Sequence, residues 1–419
     1  MKRYVVIVEP LSSGNALAAA FKKYSIEAIA ITLSEKKWTG YGNQLKTEEF
    51  AAIIPYQNHL AAILQDYHPI AIIPGTEEAV IVAEQLTQQL LPHLANESSK
   101  ALHRLHKAKM QEALEAAQLP YLKTLNTNSI TEADLWLEQQ GLKQHGFILK
   151  PPMSAGSDKV FTIPAKADWQ YAFQRILNEP NKITGAANTS VVLQELAIGT
   201  EFAIGTVSAN ASHYLSHIIQ YNKQIIGNQQ IIYDYVEFID YATDHHAKLV
   251  NYANKVLDAL GIRWGAAHIE IILTDRGPRL IEVGARMCGG PVVNFSRAAT
   301  GSSQADKLAE LYTLGTLKQA TYQLQQTVIA VFLKSNTTGT VTNLDIFDAC
   351  QSLPTFMSKY LWYANFACIP KTTDYLTSLG IIALIGNKNN IMADYTTIRS
   401  LESQLNIAVN IEEINHHLQ

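Results

Sequence analysis

Cysteine is scarce: Cys288, Cys350 and Cys368 are the only three in 419 residues, odd in number and without Cys-x-x-Cys spacing. That excludes a disulfide framework and a zinc ribbon, and it fits a reducing cytoplasm. Charge of one sign is equally lacking. Lys and Arg total 33 against 37 Asp and Glu, for a net charge of −4 without a basic run. No nucleic-acid partner and no anionic membrane surface are therefore expected. No apolar stretch approaches the length of a bilayer span. The N-terminal run Tyr4–Val8 is broken by Glu9 and Pro10, too short for a signal-peptide core and suited to a buried first strand. Also absent are Gly-x-Gly-x-x-Gly, a biotin-attachment Met-Lys-Met, internal repeats and low-complexity segments, and no carrier domain is expected. What remains is a soluble chain, 47% hydrophobic and 17% charged, long enough for two to four packed domains.

Short β-branched strands alternate with helices over the first hundred residues. Tyr4–Val8, Ile26–Ile31, Ala52–Ile54 and Ile70–Ile73 read as strands, with helices from Ser12-Ser13-Gly14 to Tyr24 and over Glu77–Leu91. This pattern predicts a parallel, Rossmann-like sheet. The Ser12-Ser13-Gly14 turn lies where such sheets bind ligands, either as a substrate contact or as a plain helix start. Further on, helices are predicted over Lys107–Gln118, Thr131–Gln140 with Thr131 as its cap, and Asp244–Leu260. Strands are predicted at Gly146–Lys150, Lys159–Ile163, Ser190–Glu195, Glu201–Val207, His213–Tyr221, Trp264–Leu273 and Arg279–Ala285. From about Thr321 strands (Val328–Leu333) and helices (Thr396–Leu405) form a C-terminal extension.

The segment Trp264–Arg286 is the most informative. Odd positions are small or apolar (Ala267, Ile269, Ile271, Leu273, then Ile281, Val283, Ala285), and even positions carry His268, Glu270, Glu282 and Arg286. Period two puts the odd set on a core and the even set on one face. A five-residue turn symmetric about Arg276 sets Glu270 opposite Glu282, their Cβ atoms roughly 5 Å apart, where like charges destabilise a sheet unless neutralised. A magnesium ion sharing nucleotide phosphates suits such a pair. A solvated strand face with an accidental acidic pair has the same pattern.

Three other elements stand beside it. Phe147–Lys150 delivers a lysine to the small-residue loop Pro151–Ser157; such an ammonium can meet phosphates under backbone amides, or snorkel from an ordinary hairpin. Lys107 opens a helix, where a cation is slightly unfavourable, as a ligand contact or as a surface charge. Val191–Glu195 runs into Leu196-Ala197-Ile198-Gly199-Thr200-Glu201, a turn able to meet an adenine edge or merely to connect two sheets.

In this order the four elements resemble the ATP-grasp superfamily over roughly residues 100–300. Within it, Gly265–Glu270 and Leu280–Gly290 look like the L-amino-acid α-ligases that make dipeptides. The resemblance implies an α/β chain: a Rossmann-like N-terminal domain (1–100), an ATP-grasp fold of two α+β subdomains clasping ATP (101–320, lid about 121–196) and a C-terminal α+β subdomain (321–419). It implies that Lys107 and Lys150 bind ATP phosphates, with Ser154, Ala155, Gly156 and Ser157 as a flexible lid. Glu195, Leu196 and Ile198 would meet the adenine and Glu201 the ribose. Glu270 and Glu282 would hold magnesium, with manganese as a substitute, and Arg286 would stabilise the transferring phosphoryl group. Two positions depart from the pattern: Gly284 stands where many members carry an Asn ligand, and His106 replaces the commoner acidic neighbour of the first lysine. The implied activity is a cytoplasmic ligase that joins a small-molecule carboxylate to an amine, amino acids foremost, through an acyl phosphate; a homodimer is compatible with it. His268 is the candidate base for the amine or a structural histidine. Tyr233, Asp234, Glu237, Gly289 and Gly290 are candidate substrate contacts, the first three equally suited to a surface loop. A catalytically silent ATP-binding module, or a ligase of non-amino-acid carboxylates, are the alternatives.

Overall fold

The computed structural model describes residues 2–33, 42–154, 156–181, 185–226, 230–241, 244–375 and 377–409. The chain divides into two compact units, residues 1–218 with 240–323 and residues 219–239 with 324–419. The first unit opens with β1 (Tyr4–Val8), α1 (Leu17–Lys22), β2 (Glu27–Thr32), β3 (Phe50–Pro55), α2 (Leu60–Gln65), β4 (Pro69–Pro74) and α3 (Ala79–Leu90). The strands form a parallel sheet in the order β3-β2-β1-β4. Both faces are covered, which explains the unbroken apolar strands. Val5 and Ile7 pack with Leu17 and Phe21, whereas Val6 and Val8 pack with Leu60, Leu64 and Leu86. The helix α2 has no counterpart in the sequence prediction, because its six residues are too few to display a helical period.

After α4 (Lys107–Ala116) comes an antiparallel sheet of order β5-β8-β6-β7, built from β5 (Thr124–Thr127), β6 (Phe147–Lys150), β7 (Phe161–Ile163) and β8 (Val191–Glu195). Helices α5 (Ile130–Gln139) and α6 (Gln170–Asn178) complete its core around Phe147, Trp169 and Phe173. The cap of α5 is Ser129, not the predicted Thr131: its hydroxyl accepts from Glu132 N at 3.3 Å. Ser-x-x-Glu at 129–132 is a capping-box sequence, which places the cap two residues earlier and starts the helix at Ile130.

Strand β9 (Thr200–Ala209) leads into β10 (Ser212–Ile226), within which the chain enters the second unit; β11 (Gln230–Ile239) ends there and α7 (Asp244–Ala259) resumes the first. The hairpin β12 (Gly265–Thr274) and β13 (Gly277–Gly284) follows, then α8 (Val292–Thr300) and α9 (Gln304–Leu314). The order here is β13-β12-β9-β10. The hairpin turn is tighter than expected. Thr274 pairs with Gly277, whose φ of 88° is the left-handed value such a tight turn needs. By itself that turn would set Glu270 opposite Ile281. A bulge between Glu270 and Ile271 inserts one residue, so Ile271 faces Leu280 while Glu270 faces Glu282. The buried position near the turn is therefore Leu280 rather than the predicted Ile281, and the core parity holds only from Val283 onward.

The second unit contains β11, β14 (Thr327–Leu333), β15 (Gly339–Val341), β16 (Phe356–Leu361), β17 (Cys368–Ile369), β18 (Gly380–Gly386), α10 (Lys388–Glu402) and β19 (Ile407–Ala408). Its sheets run β11-β14-β18-β16 and β17-β15-β19 around a core that includes Val331, Phe347 and Ile382. Helix α10 starts at Lys388, not Thr396, under an Asn387 cap that accepts from Asn389 N at 2.9 Å. The polar run Lys388-Asn389-Asn390 hides that first turn from apolar periodicity. No helix among the described residues is long and apolar enough to cross a membrane.

Arg104 clamps the first unit. Its fully buried guanidinium pairs with both Glu84 carboxylate oxygens at 2.7 Å and donates to Leu260 O at 2.9 Å. Breaking a buried pair by removing one partner costs about 3–5 kcal/mol. Arg104→Met should lower the urea unfolding free energy by that amount; a loss under about 1 kcal/mol would contradict the clamp.

Candidate active site

The sheet geometry brings the acidic pair together first. Glu270 and Glu282 sit directly opposite each other on β12 and β13, flanked by Ala203 of β9. Each carboxylate already has a cationic partner. Lys107, at the first position of α4 and buried, places Nζ 2.8 Å from Glu282 Oε2 and also donates to Ser154 O at 2.5 Å. His268, two residues before Glu270 on the same face, puts Nε2 3.1 Å from Glu270 Oε1. Without a cation bound, the like-charge pair is thus offset by a lysine and a histidine. Burial alone would raise the Glu282 carboxyl; Lys107 outweighs it and holds that carboxyl below its usual range. For His268, burial opposes a charge, but Cys288 and Glu270 beside it raise the imidazole above its usual value. A proton held there favours a charge partner of Glu270 over a base for the amine.

Lys150 ends β6 with its ammonium buried, donating to Gln194 Oε1 at 2.7 Å. Burial and then the charge of Lys107 lower its pKa to about 8, against the opposing pull of Glu282, Glu270 and Glu201. Glu201, buried at the start of β9, is thus near enough for its charge to act on Lys150. The loop after β6 rests on Lys107: Lys107 N donates to Pro152 O at 2.9 Å, and Ser154 Oγ donates to Asp158 Oδ2 at 3.0 Å. Gly156 and Ser157 both have left-handed backbones, with φ of 67° and 61°. Ala155 lies outside the described residues.

At the hinge, the Glu195 carboxylate is engaged by Arg276 of the hairpin turn and by Lys123 N. The Ile198 side chain is 75% exposed, an apolar surface beside a chain segment with backbone groups to offer. His106, the unusual neighbour of Lys107, caps α4: its Nδ1 accepts from Lys109 N at 3.5 Å. Burial, then Lys109, lowers its pKa, which suits a neutral imidazole in an accepting role.

Arg286 follows β13. Its Nε lies 2.7 Å from Glu77 Oε2 and its Nη1 donates to Met287 O at 2.8 Å. Glu77 belongs to the loop between β4 and α3, and no motif singles it out; the one available hint is an acid just past the carboxyl end of a parallel strand, where ligands bind. The segment after Arg286 is pinned on two sides. Cys288 N donates to Gln304 Oε1 and Gly290 N donates to Ser12 Oγ, at 2.8 and 3.0 Å. The Ser12-Ser13-Gly14 turn is therefore joined to the site through Gly290, while Gly289 stays exposed.

The structure brings Lys107, Lys150, Glu201, Glu270, Glu282, His268 and Arg286 into one unit. Tyr233, Asp234 and Glu237 belong to the other. There Asp234 is taken up by Lys334, Tyr395 and Arg399, and Glu237 by Lys388. Tyr233 packs in tilted contacts with the rings of Tyr221 and Phe332.

Residues 143–294 match the ATP-grasp domain family. The chain carries an ATP-grasp domain. Its whole length is similar in fold to the L-amino acid ligase of Bacillus licheniformis, with a TM-score of 0.71, 15% identity, and 98% of this chain and 99% of that one covered. It is equally similar to carboxyaminoimidazole ribonucleotide synthase of Aspergillus clavatus complexed with ATP, with a TM-score of 0.71, 13% identity, and 97% and 99% covered. Dapdiamide A synthase of Enterobacter agglomerans is 29% identical over 315 residues, 74% of this chain and 73% of that protein.

The donor set fits a magnesium ion. Among the described residues no three His, Cys, Asp or Glu side chains converge on a closed metal cage. Two facing carboxylates leave the remaining positions to water and phosphate oxygens, the arrangement magnesium prefers.

Lys150 gives the site a measurable pH dependence. Its charge is lost as pH rises through about 8. Nucleotide affinity should fall between pH 7 and 9, and binding near pH 8 should take up a proton. Lys150→Arg, permanently charged, should flatten that profile; an unchanged profile would separate Lys150 from the phosphates.

Proposed function

We propose that this protein is an ATP-dependent carboxylate–amine ligase that forms an amide bond through an acyl phosphate and joins L-amino acids. The observation that carries the reading is Glu270 opposite Glu282 in register, with Lys107 on one carboxylate and with Lys150 and Arg286 in the same cluster. The ligases among its relatives support it.

In this reading Lys107 and Lys150 receive the β- and γ-phosphates of ATP, while the 151–157 loop closes over them. The hinge Glu195–Ile198 takes the adenine and Glu201 the ribose side. Glu270 and Glu282 would hold magnesium, which when bound neutralises phosphate charge. A carboxylate oxygen of the first substrate attacks the γ-phosphorus in line; the bond to the bridging oxygen breaks and ADP leaves. The chain's part is positioning and charge neutralisation, since such transfer needs little covalent help. Arg286 then holds the developing oxyanion as the neutral amine attacks the acyl carbon. The C–O bond to phosphate breaks and the amine's proton passes to the leaving phosphate. Loop closure excludes water, which would otherwise hydrolyse the acyl phosphate.

Pairs of L-amino acids should release ADP and orthophosphate, and hydroxylamine should trap a hydroxamate when the amine substrate is withheld. AMP and pyrophosphate as products would contradict the reading. Glu282→Gln should lower turnover at least about 100-fold, the scale of losing one transition-state electrostatic contact. Near-normal turnover of a folded Glu282→Gln protein would remove the pair from the chemistry.

A further inference from the structure

Gly284 stands where many ATP-grasp proteins carry an asparagine, and its backbone does not explain the glycine, because its φ lies outside the left-handed region. Space does. A Cβ at Gly284 would fall 3.0 Å from Glu77 Oε2 and 3.3 Å from Arg286 Cζ. The room a side chain would need is filled by the Glu77–Arg286 ion pair, whose acid comes from the loop after β4. Glu77 is also not a third ligand of the metal pair, since no three-carboxylate group forms among the described residues.

The surroundings of Glu77 contain polar groups that the fold leaves unused. The loop of Glu77 and the turn of Ser12 press together so closely that a Cβ on Gly14 would lie 2.6 Å from Gly75 Cα. Ser13 Oγ and Thr76 Oγ1, one from each loop, are buried without a hydrogen-bond partner. Leaving a buried hydroxyl without a partner costs roughly 1–3 kcal/mol, so two of them in the adjoining loops that carry Glu77 and Ser12 point to a ligand. The ligand must offer a cation to Glu77 and an anion to Arg286 within one small molecule. An α-amino acid zwitterion does both.

We propose that Glu77 is the specificity latch of the acyl-donor site: it pairs with Arg286 in the ligand-free protein and exchanges that partner for the ammonium group of an α-amino acid, which frees Arg286 for the carboxylate that receives the phosphoryl group. The inference rests on the ligase reading above. Carboxylates without an ammonium leave Glu77 on Arg286, so they are poor acyl donors even when their side chains fit. Gly284 is the positioning residue that gives the latch its space.

The test compares kcat/KM for ADP formation with an L-amino acid and with its deamino acid. The proteins are the wild type, Glu77→Gln, Glu77→Asp and Gly284→Ala. The wild type should prefer the amino acid by at least about 100-fold. Glu77→Gln should cut that preference below about tenfold, mainly by raising KM for the amino acid, and Glu77→Asp should restore most of it. Gly284→Ala should weaken the preference in the same direction, which keeps the test available if Glu77→Gln does not fold. An undiminished preference in folded, ATP-binding Glu77→Gln or Gly284→Ala protein would overturn the latch. A wild type that forms no ADP with any carboxylate would instead overturn the ligase reading.

Discussion

Two carboxylates face each other across a β-ladder, and the rest of the site is arranged around that repulsion. Like charges about 5 Å apart repel by roughly 3 kcal/mol at an effective dielectric of about 20. The first unit contains the cost with Lys107 on Glu282 and His268 on Glu270. Both partners come from elements placed for the purpose, one at the start of α4 and one on the same strand face. The charges are thereby balanced within the protein itself. Lys107 bonds both Glu282 and Ser154 O, and so ties the loop after β6 to the acidic hairpin. Loop position and the charge of the acidic pair are thereby linked through one ammonium.

A second balance sits at Arg286. The hairpin supplies the cation and the N-terminal parallel sheet supplies Glu77, with Gly284 vacating the space between them. Gln304 and Ser12 fix the following segment by bonds to the backbone of Cys288 and Gly290. The loops at the carboxyl ends of the N-terminal strands therefore reach Arg286 and Gly290, at the strand ends where parallel sheets meet their ligands.

The sequence disclosed the acidic pair for a reason that was only half correct. Alternation placed Glu270 and Glu282 on one face, and a loose five-residue turn gave the right register; the protein reaches it with a tight turn and a bulge, two one-residue effects that cancel. Period-two reading cannot see a bulge, so Ile281 was assigned the core position that Leu280 occupies. Lys107 and Lys150 stand out in the sequence because each sits oddly: a cation opening a helix and a lysine ending a buried strand. Glu77 was not, since its role depends on a partner more than two hundred residues away and on a missing side chain at Gly284. Asp234 and Glu237 looked like site residues from composition, yet in their own unit Lys334, Arg399 and Lys388 satisfy them. Charge in a sequence marks where partners are needed without saying who they are.

The central claim is that this charge arrangement serves attack by a carboxylate on the terminal phosphate of ATP. The most direct measurement is the fate of oxygen in an amino acid labelled with ¹⁸O at its carboxylate. The account predicts one label in the released orthophosphate, with ADP as the nucleotide product. Label in AMP, accompanied by pyrophosphate, would contradict it.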